Sequence, residues 1–532
     1  MIDEQARTFI AAWTERARPL AKRAALAQWS LSVSASDEAE REATRAQVAL
    51  AELYADAATF EEAKRLDAGP VSDALLRREV RMLHLATLTY RRDPETLRRI
   101  AQLEAELEGQ FSTYRGDVHG RAVSENDIRT VLVERRDSDE RRLAWEAQKG
   151  IGPLVAPKVL ELVRLRNGVA RALGHRDWFA FALATDELDE RRLFAMLDEL
   201  EAATAEPFAK EKAAIDAEAS AALNVPVEEL MPWHYQDVFF QEAPTTERTS
   251  LDPLVRDRDV VATARAFYDD LGFGGDVDAI LARSDLWPRE HKTQHAFCTD
   301  IDREGDVRVV CNVTASERWL ETTLHELGHG VYDLGIDRAL PWGLRAPAHL
   351  LTTEAIAMMM GRRTRDTEFL RRYVAPRDAQ HEAADRELLR RRMLLLSRWV
   401  PVMTRFEAEL YREPTRDAAT LGRIWWDLVE RCQRLRRPPG DRPTDWATKI
   451  HVALAPVYYQ NYLLGELTAS QLEHAMLRDT GAPLTGNRAA GTWLRDRWFR
   501  PGASLRWDAL IERATGAPLS PRWFASDFVQ AG

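Results

Sequence analysis

Residues 322–334 read TTLHELGHGVYDL. His325 and His329 are four residues apart, so on an α-helix both imidazoles lie on one face, about one turn apart. Two neutral imidazoles at this spacing can hold one Zn²⁺. Glu326 beside them can accept a proton from an attacking water. The stretch therefore predicts a helix that carries a metal site.

Signals for an amphipathic helix surround the two histidines. Apolar residues recur at helical spacing, namely Leu320, Leu324, Leu327, Val331 and Leu334. Thr314 and Glu317 have the spacing of a capping box, and Gly335 stands where the helix can end. We therefore expect one helix that begins near Thr314 and ends near Gly335. A plain amphipathic helix with two half-buried histidines is the alternative interpretation.

A third candidate ligand follows in a second apolar run, LLTTEAIAMMMGR, which begins at residue 350 and contains Glu354. A catalytic zinc site normally offers three protein ligands and keeps a further position for water. A carboxylate in an apolar helix is costly to bury unless a cation pairs with it, and a metal would supply that charge. The sequence therefore predicts one zinc ion per chain, held by His325, His329 and Glu354. The alternative is a glutamate that points to solvent.

Composition excludes several other classes of protein. The 532 residues carry a net charge of −11, which argues against nucleic acid as a partner. Three cysteines are too few for a disulfide scaffold and favour a reducing compartment. The first residues do not have the pattern of a signal peptide, and no run of 18 apolar residues predicts a membrane span. We therefore expect a cytoplasmic protein without a membrane partner, and the oligomeric state is left open.

Helical periodicity dominates from residue 3 to about residue 230, with breaks at 32–36, 67–70, 115–124 and 224–226. One short region departs from it. HAFCTD at 295–300 and VRVVCNV at 307–313 flank a glycine-containing turn and predict a β-hairpin. Such a strand could pair with an extended peptide, or it could be a plain connector.

A second informative segment, residues 449–467, reads KIHVALAPVYYQNYLLGEL. Its lysine, histidine and tyrosines can bind a carboxylate and donate hydrogen bonds to an oxyanion. Core packing at the start of an aromatic-rich helix is the alternative. Pro456 interrupts the helix, so we expect a loop between His451 and the tyrosines. Tyr459 and Tyr462 are three residues apart and share a helical face.

Together these segments resemble the angiotensin-converting-enzyme family of zinc dipeptidyl carboxypeptidases. The zinc stretch followed by EAI at 354–356 carries most of the resemblance, and His295-Ala296 stands thirty residues before His325, as a substrate-binding pair does in that family. Weaker similarities are PWHYQD from residue 232, AFYDDLGF from residue 266, LAWEA from residue 143 and the segment that starts at Lys449.

The resemblance implies a mainly α fold. It would be a two-lobed helical zinc peptidase with a deep central groove, an N-terminal helical lid and a small β-hairpin beside the active site. Residues 1–532 would form a single peptidase unit, in which 1–110 are the lid and 111–532 the catalytic body.

It also implies roles for individual residues. Zinc would be held by His325, His329 and Glu354, and Glu326 would act as general base and then as general acid. His451 and a tyrosine would stabilise the oxyanion, and Lys449 with another tyrosine would hold the substrate's C-terminal carboxylate. From the helical face and the break at Pro456 we expect Tyr462 in the first role and Tyr459 in the second. His295 and Ala296 would line the cleft and bind the substrate.

Four departures from the family pattern stand out. Met358 replaces an aspartate that supports a zinc histidine, so another acceptor must orient that ring. The family's carboxylate-binding glutamine has no match near 252–253. Val429 and Asn461 replace two chloride-binding arginines, so activation by chloride is not expected. The tyrosine register requires a one-residue insertion after His451.

The predicted function is zinc-dependent hydrolysis of short peptides by a glutamate-assisted water, with release of dipeptides from the C-terminus. A zinc oligoendopeptidase or a single-residue carboxypeptidase of similar fold is the alternative within the enzyme class. A peptide-binding homologue without catalysis is the alternative from another class, and the intact set of His325, Glu326, His329 and Glu354 argues against it.

Overall fold

The structure is a computed structural model, and it describes residues 2–244 and 246–529. The first eleven α-helices are α1 Ile2–Val33, α2 Asp37–Ala55, α3 Ala57–Asp67, α4 Ala74–Thr89, α5 Pro94–Thr113, α6 Glu125–Glu134, α7 Ser138–Lys149, α8 Gly152–Ala172, α9 Trp178–Thr185, α10 Glu190–Ala203 and α11 Ala205–Leu223. The remaining ones are α12 Asp252–Val255, α13 Val260–Asp270, α14 Gly274–Leu281, α15 Glu317–Gly335, α16 Leu350–Gly361, α17 Thr367–Phe369, α18 Ala379–Arg412, α19 Ala418–Gln433, α20 Ile450–Leu454, α21 Gln460–Thr480, α22 Arg488–Leu494, α23 Trp507–Thr515 and α24 Arg522–Phe528. The mainly α class is confirmed. None of the described helices is both long and apolar enough to cross a membrane.

The strands of the described residues form two antiparallel hairpins, and short 3₁₀ and π helices lie between several of the α-helices. Strands β3 Phe297–Asp300 and β4 Val307–Val310 pair with Cys298 opposite Val309, as the sequence predicts, and they pack against α15. Strands β1 Gly116–Val118 and β2 Arg121–Val123 form a second hairpin where we expected only a break. The reason is its turn: His119 and Gly120 both have positive φ, 55° and 77°, which a two-residue hairpin turn requires.

The chain divides into two compact units, each built from three separate segments. The first unit contains residues 1–91, 247–386 and 464–523, and the second contains 92–246, 387–463 and 524–532. The candidate zinc helix α15 belongs to the first unit, and the segment from Lys449 to Tyr462 belongs to the second.

Helix α15 is held in the first unit by close packing. Gly328 allows α16 to approach, because an added Cβ would lie 3.0 Å from the Cα of Ala357. Gly330 does the same for α14, since its Cβ would lie 2.7 Å from a side-chain carbon of Ile280. The helix therefore presents its histidines from a rigidly packed backbone.

The start of α15 differs from the prediction. Ser316, not Thr314, is the N-cap, and its hydroxyl accepts a hydrogen bond from the amide of Trp319. The carboxylate of Glu317 does not fold back in a capping box. It accepts a hydrogen bond from the amide of Leu251 and pairs with Arg365, so contacts outside the helix set where it begins.

The second unit has a core rich in tryptophan, with Trp145, Trp399, Trp425 and Trp446 almost fully buried. Helix α19, Ala418–Gln433, contributes Trp425 to this core. The residues between α20 and α21 form a loop, as Pro456 led us to expect. Tyr458 and Tyr459 lie in this loop, and Tyr462 lies in the first turn of α21.

Candidate functional site

Three side chains of the first unit converge on one point. His325 and His329 extend from α15, and Glu354 extends from α16, as the sequence predicts. Their nearest ligand atoms all lie within 4.8 Å of one another. The Nε2 atoms of the two histidines are 3.3 Å apart, and Nε2 of His325 is 3.7 Å from Oε2 of Glu354.

This geometry fits a tetrahedral zinc ion. Two nitrogens that are each about 2.0–2.1 Å from such an ion lie about 3.3–3.4 Å from each other, which matches the separation of the two Nε2 atoms. The His325 side chain keeps 29% of its surface exposed. The donor set therefore combines three ligands with access from solvent, as a catalytic metal site requires.

Protonation favours metal binding as well. Burial lowers the pKa of His325 to about 4, and burial together with His325 lowers that of His329 to about 3. Both imidazoles are therefore neutral near pH 7, which is the form that binds metal. Burial, with Glu466 nearby, raises the pKa of Glu354 to about 7. A divalent cation would oppose this rise by stabilising the carboxylate.

Met358 stands where the family has an aspartate that supports a zinc histidine. In this chain a threonine hydroxyl contacts His329. Nδ1 of His329 lies 2.6 Å from Oγ1 of Thr353, the residue directly before Glu354. If Nε2 binds a metal, Nδ1 carries the proton and donates it in this hydrogen bond. Thr353 therefore fixes the ring and its tautomer.

Glu326 is beside the triad but not part of it. Glu326 is 7% exposed and lies on α15, the same helix as the two histidines. Burial, with Glu354 nearby, raises the pKa of Glu326 to about 8, and a hydrogen bond from the amide of Cys298 in β3 partly opposes this. A raised pKa suits a group that takes up and returns a proton near neutrality.

A buried ion network supports Glu354 from behind. Glu466 in α21 pairs with Arg362 at 3.2 Å, and Glu473 pairs with both Arg362 and Arg363. Gly465 lets α21 approach, because an added Cβ would lie 3.3 Å from Cβ of Glu354. The arginines neutralise carboxylates that would otherwise be too costly to bury beside the metal site.

Comparison with known families decides the class. The family model described as angiotensin-converting enzyme matches residues 2–210, and that of peptidase family M3 matches residues 281–529. A search of curated proteins gave no match. His325, Glu326, His329 and Glu354 all lie within the second match. The protein is a zinc metallopeptidase. The predicted resemblance to the angiotensin-converting-enzyme group is confirmed.

In the second unit of the metallopeptidase, Lys449 and Tyr459 meet a glutamine that the sequence interpretation missed. Nζ of Lys449 donates to Oε1 of Gln241 at 2.9 Å, and the hydroxyl of Tyr459 donates to the same oxygen at 3.2 Å. The sequence offers no counterpart of the family's carboxylate-binding glutamine near 252–253. Gln241 lies just after the PWHYQD segment, and that proximity was the only signal in the sequence that could have identified it.

The tyrosines of this segment lie close to one another and to His451. The ring of Tyr459 lies 4.8 Å from that of His451, centroid to centroid, and 5.4 Å from that of Tyr462. The Tyr458 ring packs on Tyr462 at 5.3 Å. Burial, with the charge of Lys449, lowers the pKa of His451 to about 4, so this imidazole is neutral near pH 7.

A strained residue shapes the loop before these tyrosines. Val457 has a φ of 58°, a region that β-branched residues avoid. Its amide donates to Oε1 of Glu407 at 2.8 Å, and its carbonyl accepts from Nε2 of Gln460 at 2.6 Å. Both polar groups of the strained peptide are thus held by side chains.

The remaining predicted residues of the metallopeptidase have simpler surroundings. His295 is exposed and Ala296 half-buried, directly before β3 in the first unit. Val429 and Asn461 are buried in the second unit, and neither carries a charge.

Proposed function

We propose that this metallopeptidase hydrolyses short peptides and releases dipeptides from their C-terminus. The observation that carries the proposal is the environment of Lys449. Lys449 is 8% exposed, and its ammonium group donates a hydrogen bond to the neutral side-chain amide of Gln241. Within the described part of the chain, no carboxylate lies within ion-pair distance of it. A substrate carboxylate would supply the missing anion in a charge-assisted hydrogen bond.

The chemistry assigned to the first unit follows from its donor set. His325, His329 and Glu354 would hold one Zn²⁺ per chain. When bound, the ion supplies Lewis acidity for the scissile carbonyl and lowers the pKa of water. Glu326 accepts a proton from the attacking water and later donates it to the departing amine.

Roles are also proposed for other residues of the two units. His451, which is neutral, and Tyr462 donate hydrogen bonds to the oxyanion. His295 and Ala296 contact the peptide. Chloride does not activate the enzyme, because Val429 and Asn461 offer no charge to an anion.

A second candidate function is an oligopeptidase that cleaves within short peptides. The match of residues 281–529 to peptidase family M3 favours it, since that match contains all the metal-site residues. In this case Lys449, Tyr459 and Gln241 would not determine where the peptide is cut.

One digestion distinguishes the two functions. An unmodified decapeptide and its C-terminal amide are incubated with the zinc-loaded enzyme, and the fragments are identified by mass spectrometry. Release of a C-terminal dipeptide from the acid, with slow cleavage of the amide, supports the first function. Internal cleavage at equal rates in both peptides supports the second.

A further inference from the structure

A groove of about 730 Å³ opens in the first unit between α1, α4 and the short 3₁₀ helix Trp342–Leu344. Ile10, Leu76 and Trp342 give it apolar walls. Its size is typical of sites for small organic molecules. A smaller cavity of about 90 Å³ adjoins it, and the two share Ile10, Thr14 and Glu79 as lining residues.

Glu79 is the unusual residue of this groove. It lies on α4, is 9% exposed and lines both cavities. No described residue forms a hydrogen bond or an ion pair with it. Burial, with Asp73 nearby, raises the pKa of Glu79 to about 7. The backbone comes close at Gly343, where an added Cβ would lie 3.3 Å from Oε1 of Glu79. Burying a carboxylate without a partner costs free energy. A cationic ligand that pairs with Glu79 would offset this cost, which favours its binding.

The cations around the groove are already paired. Arg7 pairs with Asp73 at 3.5 Å, and Arg18 pairs with Glu304. The guanidinium of Arg303 lies over the Trp342 ring, 4.6 Å from its centroid, so it is directed at the ring and not at Glu79. The negative charge of Glu79 is therefore left for a ligand.

Aromatic side chains surround the inner end. Trp13 lies 5.5 Å from Tyr54 and 6.4 Å from Trp342, measured between ring centroids. The buried indole N–H of Trp13 has no hydrogen-bond partner. Aromatic faces next to a carboxylate attract organic cations, through the ring quadrupole as well as through the charge.

We propose that this groove binds a small organic ammonium ion with an aromatic body. The ammonium group pairs with Glu79, and the aromatic body packs on Ile10, Leu76 and Trp342. A divalent metal fits less well, because it needs several oxygen ligands, and Asp73 is already engaged by Arg7 and by the amides that begin α4.

The test is calorimetric titration of the full-length, zinc-loaded protein with benzylamine, near pH 8, where Glu79 is charged. Benzyl alcohol has the same shape without the charge. We expect one benzylamine per chain, with benzyl alcohol binding at least about tenfold more weakly. Glu79→Gln keeps the shape of the side chain and is expected to weaken benzylamine binding by at least about tenfold.

Glu15→Gln is the matched control, since Glu15 is an exposed carboxylate on the rim of the same groove. Its affinity for benzylamine should stay that of the wild type. Thermal unfolding verifies that both variants fold. The proposal is wrong if wild-type protein does not bind benzylamine, if benzyl alcohol binds equally well, or if Glu79→Gln binds benzylamine as the wild type does. The last result would place the ligand elsewhere, for example at the metal.

Discussion

Thr353 and His329 form a 2.6 Å hydrogen bond between Oγ1 and Nδ1, across the packed helices α15 and α16. Thr353 is adjacent in sequence to the candidate ligand Glu354. One turn of α16 thus provides both a metal ligand and the group that orients another ligand. A neutral hydroxyl takes the place that a carboxylate has in the related family.

Thr353→Val is expected to weaken zinc binding by about 10–100-fold, the range found when a group that supports a metal ligand is lost. Valine matches threonine in shape but cannot accept the proton of Nδ1. Competition with a chromophoric chelator measures the affinity. Thr353→Ser keeps the hydroxyl and should bind zinc nearly as the wild type does; equal losses in both variants would contradict the role of the hydrogen bond.

Glu354→Ala should lose more zinc than Thr353→Val during dialysis against a mild chelator, because only two imidazoles remain as ligands.

Glu326→Gln should retain the metal and lower kcat by about 10²–10⁴-fold, the contribution of a general acid–base. Metal content and peptide turnover are measured on the same preparations. A Glu354→Ala enzyme that keeps its zinc, or an active Glu326→Gln enzyme, would refute the respective assignment.

Lys449→Gln is expected to raise KM for peptides with a free C-terminus by about 10–150-fold, which corresponds to about 1.5–3 kcal/mol for a hydrogen bond to a charged group. Gln241→Ala should act in the same direction with a smaller effect, because it removes a neutral partner of Lys449 and Tyr459. Steady-state kinetics on the free acid and the amide of one peptide provide the measurement.

Lys210→Gln is the control for this series, since Lys210 is an exposed lysine of the same unit. Its KM should not change. If Lys449→Gln affects the acid and the amide alike, Lys449 does not bind the C-terminal carboxylate, and the oligopeptidase becomes the better function.

Glu407 gives a prediction about pH. Burial raises its pKa to about 8 from an ordinary value of 4.5, although the Val457 amide and Arg166 oppose this. Between these values the unfolded chain ionises while the folded protein stays protonated, so this group makes folding less favourable as pH rises. Glu407→Gln removes the effect and keeps an acceptor for Val457. Its stability relative to wild type should therefore rise between pH 5 and pH 8, by up to about 1.4 kcal/mol per pH unit.

Thermal unfolding of both proteins at several pH values checks this. Parallel curves would mean that Glu407 ionises equally in the folded and unfolded states. Glu407→Leu is the second variant, because it also removes the acceptor of the Val457 amide. It should lower peptidase activity at every pH, whereas Glu407→Gln should not.

Much of the metal site could be predicted from sequence because its ligands are encoded locally. The spacing of His325 and His329 fixes their common face, and the apolar run around Glu354 makes an unpaired carboxylate there improbable. The hairpin before α15 has a glycine turn between two extended runs, which is also a local signal.

The groups that were missed depend on tertiary packing. Gln241 is 208 residues from Lys449 in sequence, and no periodicity connects them. Thr353 contacts His329 only because of the rotation of α16 against α15. The N-cap moved to Ser316 because Glu317 is held by Arg365 and by the Leu251 amide, two partners that lie outside α15.

The three-segment construction of the first unit has a consequence for biosynthesis. A ribosome makes His325, His329 and Glu354 well before it makes α21, which carries Gly465 and Glu466. The buried side of the metal site, where Glu466 meets Arg362, is therefore completed only after more than a hundred further residues have been added. A nascent chain that ends before α21 contains the zinc motif but lacks the helix that packs against Glu354. Until α21 is made, apolar surfaces of α15 and α16 stay exposed. Because exposed apolar surface favours aggregation, we expect fragments that end before α21 to be more prone to aggregate than the full chain.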